Sequence, residues 1–80
     1  MKAKVFVYLK KGVLDPQGKA VEHAGKSLGF EEVKEVRVGK MFEISWEGNA
    51  DSAKTRLQEL AQKLLANTVI EDFSIKIEDD

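Results

Sequence analysis

The chain has no cysteine and one histidine, so disulfides and thiolate metal sites are excluded, and a lone imidazole does not make a zinc centre. It has no apolar run long enough to span a bilayer, and Met1-Lys2-Ala3-Lys4-Val5-Phe6 enters a strand pattern with no apolar stretch of signal-peptide length. Neither charge dominates: thirteen basic and fourteen acidic residues leave a formal net charge of −1, interspersed except at the acidic end Glu78-Asp79-Asp80. That is not the basic footprint of a nucleic-acid binder. The expectation is a cytoplasmic protein with neither nucleic acid nor membrane as partner.

Eighty residues make one domain, 1–80. A chain this short buries only about 60% of the surface its unfolded state exposes. With disulfides and metals gone, oligomerisation is the remaining way to brace a marginal core.

Lys2 to Leu9 alternates, with Ala3, Val5, Val7 and Leu9 on one face and Lys2, Lys4, Phe6 and Tyr8 on the other. Asp15 and Pro16 then open a helix: the carboxylate can accept a free N–H of the first turn, and proline suits the first helical position, where its missing N–H costs nothing. Ala20, Val21, Ala24, Gly25 and Leu28 form its apolar stripe, Gln17, Lys19, Glu22, His23 and Lys26 face away, and Gly29 ends it. A second helix starts after Asn49 with Ala53, Leu57, Leu60, Leu64 and Leu65 inward, and stops near Asn67. A last strand follows, with Val69, Phe73, Ile75 and Ile77 inward.

Between Val33 and Glu47, Val36, Val38, Phe42, Ile44 and Trp46 share one parity. A two-residue hairpin at Gly39-Lys40 would split that set between two faces and is rejected. Two readings remain: a three-residue turn at Gly39-Lys40-Met41, or one long strand bent at Gly39. A strand that long would reach beyond a small domain, into a sheet shared with another protomer.

The order β-α-β(β)-α-β predicts an α+β, ferredoxin-like-related two-layer sandwich, with both helices on one face of an antiparallel sheet. The other face, carrying Phe6 and Tyr8 with Met41 beside them, is a candidate oligomer interface. The competing reading is that these are scattered surface side chains.

No catalytic constellation emerges. His23 sits among Glu22 and Lys26 on a solvated helix face, and Glu43, Glu47 and Asp51 are too dispersed for magnesium. Gly12 and Gly18 lack the spacing of a phosphate cradle, and Asp15 would set a negative charge where the phosphate belongs. An acylphosphatase-like enzyme would need an arginine where Lys10-Lys11-Gly12 stands.

Four separated motifs do carry a resemblance: Lys11-Gly12-Val13-Leu14-Asp15-Pro16-Gln17-Gly18 followed by Ala20-Val21; Leu28-Gly29-Phe30; Val36-Arg37-Val38-Gly39-Lys40; and Leu64-Leu65-Ala66-Asn67 with Val69-Ile70-Glu71. In this order, across essentially the whole chain, they resemble the PurS family, small subunits of phosphoribosylformylglycinamidine synthase. Thr68 stands where that family has proline. The resemblance implies a non-catalytic subunit that forms homodimers or tetramers and bridges a glutaminase and a synthetase subunit. It would help ammonia pass between them, with ATP and magnesium used by the complex and no cofactor or metal held by this chain.

In that setting Gly12, Val13, Leu14, Asp15, Gln17 and Gly18 are candidates for docking a partner, with Val13-Leu14 as small apolar anchors. Arg37 and Lys40 are candidates for charged contacts. The alternative function is a free-standing regulatory module binding a small ligand at a dimer interface.

Overall fold

The computed structural model describes residues 1–78; Asp79 and Asp80, the last of the acidic end, lie outside them. The elements are β1 (Lys2–Leu9), α1 (Pro16–Ser27), β2 (Gly39–Ser45), α2 (Ala50–Leu60), which runs on into a π-helical turn (Ala61–Leu65), and β3 (Glu71–Glu78). The sheet is antiparallel in the order β2-β1-β3. The α+β class and the element order match the sequence reading.

The central strand β1 faces two ways. Ala3, Val5 and Val7 are buried, while Phe6 and Tyr8 lie on the open face. Two apolar clusters fill the covered side. Ala3, Ala53 and Leu57 form one, and Val5, Val7, Ala61 and Ala66 the other, with Ile44 and Ile75 packed against both. Burying one such leucine stabilises the layer by about 1.5–3 kcal/mol.

Both helix starts are capped as expected. Asp15 accepts the Gly18 N–H at 2.9 Å, and Asn49 accepts the Asp51 N–H at 2.7 Å. Gly29, at φ +99°, ends α1: its N–H donates to the Lys26 carbonyl and the Phe30 N–H to the Gly25 carbonyl, both at 3.0 Å.

Expectations in three regions are corrected, the first running from the second helix into the last strand. The second-helix stripe does not continue through Leu64. The N–H of Ala66 donates to the Ala61 carbonyl at 2.9 Å, an i→i+5 bond. This wider turn advances the inward position to Ala66 and leaves Leu64 73% exposed. The strand near the C-terminus begins at Glu71, and Val69 is an exposed turn residue.

Second, Gly39-Lys40-Met41 is neither a hairpin turn nor a bend in one long strand: β2 starts at Gly39, and residues 33–38 belong to no sheet ladder. In place of a strand partner, the Val38 N–H donates to the Asp15 carboxylate at 2.7 Å.

Third, the stripe of α1 does not lie on the sheet. Only Gly18 of its twelve residues is buried. The helix packs instead along the returning segment 33–38 and projects as an arm. The molecule therefore measures 49 × 29 × 14 Å with a radius of gyration of 16.0 Å, against about 12 Å for a compact domain of this length.

Candidate functional site

The loop between β1 and α1 is shaped by its own hydrogen bonds and by segment 33–38. Lys10 donates its N–H to the Ile70 carbonyl at 2.8 Å, and the Val13 N–H donates to the Lys10 carbonyl at 3.1 Å, closing a turn that contains Gly12 at φ +91°. That turn leaves Leu14 70% exposed and Val13 half-buried. Gly12 and Gln17 are exposed as well, so the loop presents a small apolar tip on a fixed backbone.

Asp15 and Gly18 are buried. Each Asp15 oxygen accepts one backbone N–H, from Gly18 and from Val38. These two bonds, with the Arg37 charge as a lesser contribution, hold its carboxyl below the ordinary aspartate value despite burial. A Cβ on Gly18 would run into the Val36 carbonyl oxygen, so the missing side chain is what lets segment 33–38 approach the helix.

Arg37 turns back onto the loop, donating to the Val13 carbonyl at 3.1 Å and to the Lys10 carbonyl at 3.2 Å. Lys40 goes elsewhere, 3.9 Å from Glu71 and over the Phe42 ring. The two cations that flank Gly39 thus serve different surroundings. Val13, Leu14, Asp15 and Arg37 line one open groove of about 560 Å³ together with Tyr8 and Glu22. Lys40 and Gln17 line a neighbouring groove of about 350 Å³, which Asp15 and Tyr8 also reach.

On the open sheet face Phe6 and Met41 are register partners, with Tyr8 two positions along β1. They are 38%, 46% and 44% exposed. The face therefore gathers the three residues named from sequence.

Sequence reasoning missed Val36 and Val38, whose contributions are a backbone carbonyl and a backbone N–H that no side-chain pattern advertises. It also placed Glu22 outward, whereas its side chain is only 12% exposed and stands 3.7 Å from Lys19. Among the described residues no cluster of histidine, aspartate and glutamate could hold a metal ion, and no helix is long and apolar enough to cross a membrane.

A family model described as PurS, phosphoribosylformylglycinamidine (FGAM) synthase, matches residues 2–79. The chain is 47% identical over 78 residues to phosphoribosylformylglycinamidine synthase subunit PurS of Bacillus subtilis, covering 98% of this chain and 93% of that one. The solved structure of the B. subtilis protein superposes with a TM-score of 0.88 over 98% of each chain. Identity to the PurS subunit of Methanocaldococcus jannaschii is 49% over 78 residues, 96% of this chain and 94% of that one. Its crystal structure, described as one of the subunits of formylglycinamide ribonucleotide amidotransferase in the purine biosynthetic pathway, matches with a TM-score of 0.89 over 99% of this chain and 96% of that one. A chain in the structure of PurLQS from Thermotoga maritima matches at 25% identity, a TM-score of 0.83, and 94% and 93% coverage.

Proposed function

The chain belongs to the PurS family, and from that premise we propose that it is the small, non-catalytic subunit of phosphoribosylformylglycinamidine synthase, a ligase complex of purine biosynthesis. One observation carries this reading: the match to PurS subunits runs over residues 2–79 and extends to a chain in the PurLQS assembly. The geometry agrees with it. The molecule presents a loop with an apolar tip and a projecting arm.

In this role the chain, as a single PurS-like domain over 1–80, bridges two larger subunits in the cytoplasm. One releases ammonia from glutamine. The other uses ATP and magnesium to convert phosphoribosylformylglycinamide to the amidine. Bridging shortens the path of ammonia and keeps it from protonation in bulk water, which would remove its nucleophilic lone pair. Leu14 and Val13 are the docking anchors, with Gly12 and Gln17 beside them and Lys40 offering a charge.

The proposal includes self-association. Val21, Leu28 and Phe30 of the arm are 51%, 77% and 57% exposed, an apolar surface that a second copy would cover. Phe6, Tyr8 and Met41 offer a further contact between copies. A free-standing ligand-binding module is not favoured.

The test is reconstitution. Synthetase and glutaminase, supplied with glutamine and magnesium nucleotide, should form the amidine from glutamine only when this chain is added. Formation from added ammonia should proceed without it. Full glutamine-dependent rate in the absence of the chain would sink the proposal.

A further inference from the structure

The arm is joined to the sheet by two stretches of chain: Lys10 to Asp15 going out, and Val36 to Val38 coming back. A helix that buries only Gly18 has little packing to resist swinging on such a pair of connections. The two stretches are nevertheless tied to each other in both directions. The Asp15 carboxylate, on the outgoing stretch, accepts the Val38 N–H of the returning one at 2.7 Å. The Arg37 guanidinium, on the returning stretch, donates to the Val13 and Lys10 carbonyls of the outgoing one at 3.1 and 3.2 Å. Three hydrogen bonds, each with a charged member, therefore cross the base of the arm.

We propose that Asp15 and Arg37 are positioning residues that form a reciprocal cross-tie, setting the direction in which α1 and residues 30–38 leave the sheet. Capping alone does not require this arrangement. A cap uses one Asp15 oxygen, on Gly18; the second oxygen, on Val38, does nothing for the helix start. Arg37 has no part in the cap at all. Hydrogen bonds to charged groups are about twice as strong as neutral ones; the Asp15–Val38 bond is part-buried and the two Arg37 bonds are exposed, so the first restrains most and the others add to it at a hinge that apolar packing does not hold. A pre-set arm direction lowers the ordering cost paid when any partner covers the arm.

Because the chain has no cysteine, Glu31→Cys and Lys54→Cys place two spin labels, one beyond the end of α1 and one on α2, without competing thiols. Doubly labelled chain is folded together with excess unlabelled chain, so that only distances within one chain are read in whatever oligomer forms. The variants are Asp15→Ser, whose hydroxyl still caps the helix but is too short to serve both amides, and Arg37→Gln, which leaves the cap untouched.

Both are expected to broaden and shift the distance distribution with the far-ultraviolet helix signal unchanged. In Asp15→Ser, amide exchange at Val38 should rise about tenfold or more, the scale of losing a hydrogen bond to a charged group. A distribution identical to the parent in either variant overturns the cross-tie. So does a change accompanied by loss of helix signal in both, which would mean that α1 had melted and not swung.

Discussion

On the covered side of the sheet Val5 and Leu57 are wholly buried, whereas Val21 on α1 and Leu28 at its C-cap, equally apolar and just as regularly spaced, stand 51% and 77% exposed. The sheet and α2 are held by apolar burial, which is non-directional and proportional to area. The arm is held at its base by directional hydrogen bonds of Asp15 and Arg37. Cohesion of the first kind closes the covered side of the sheet within one chain, while Phe6, Tyr8 and Met41 stay partly exposed on the other side. The second kind leaves an apolar stripe uncovered.

The largest effect expected belongs to the sheet layer. Leu57→Ala should cost about 2–5 kcal/mol, because it removes a wholly buried side chain and leaves a cavity; chemical denaturation measures it, and a loss below about 1 kcal/mol would show that α2 collapses onto the gap. Gly18→Ala comes next. Alanine in a helix is ordinarily favoured over glycine by about 1 kcal/mol. Here its Cβ meets the Val36 carbonyl, so destabilisation of about 1–3 kcal/mol is expected, as for overpacking. A stabilised variant would mean that segment 33–38 moves away freely, and would erase the distinction between arm and body.

Strong acid should loosen the base of the arm while the sheet persists. The Asp15 carboxyl is held below its ordinary value in the folded chain, so its ionised form is favoured by folding. Its contribution is fully present above the ordinary aspartate value and is lost as pH falls through the lower folded value. The amide signals of Gly18 and Val38 should therefore move together only below the ordinary aspartate range. Simultaneous loss of the sheet signals at that pH would break the comparison.

The smallest effect on the fold is expected from Leu14→Asp, within about 0.5 kcal/mol, since the side chain is an exposed loop tip. The same change should weaken binding to the larger subunits, read by co-elution of the three proteins. An equal loss of fold stability would place Leu14 in the core.

Much of this was legible beforehand. Asp15, Asn49 and Gly29 mark helix ends through bonds to residues two or three positions away, and Pro16 by having no N–H to leave unpaired, so their types betray their roles. The alternation of β1 exposed both its faces, and Phe6, Tyr8 and Met41 do share the open one. The π-helical turn was hidden, because Leu64 and Leu65 continue an α-helical period and nothing local announces the extra residue. The detachment of α1 was hidden for a related reason: periodicity says that a stripe is apolar, but not which surface covers it.

The sequence by itself determined the first and last strands, the two helices with their caps, and the family, because each depends on residues close together in the chain or on motifs in fixed order; it left the middle β segment open between one strand and two. Only the tertiary structure decided that the second oxygen of Asp15 serves Val38, that Arg37 reaches back to Val13 and Lys10, and that Gly18 admits the Val36 carbonyl. Those contacts join segments eighteen or more residues apart through backbone groups every residue carries, and a group common to all residues leaves no mark in the identity of any.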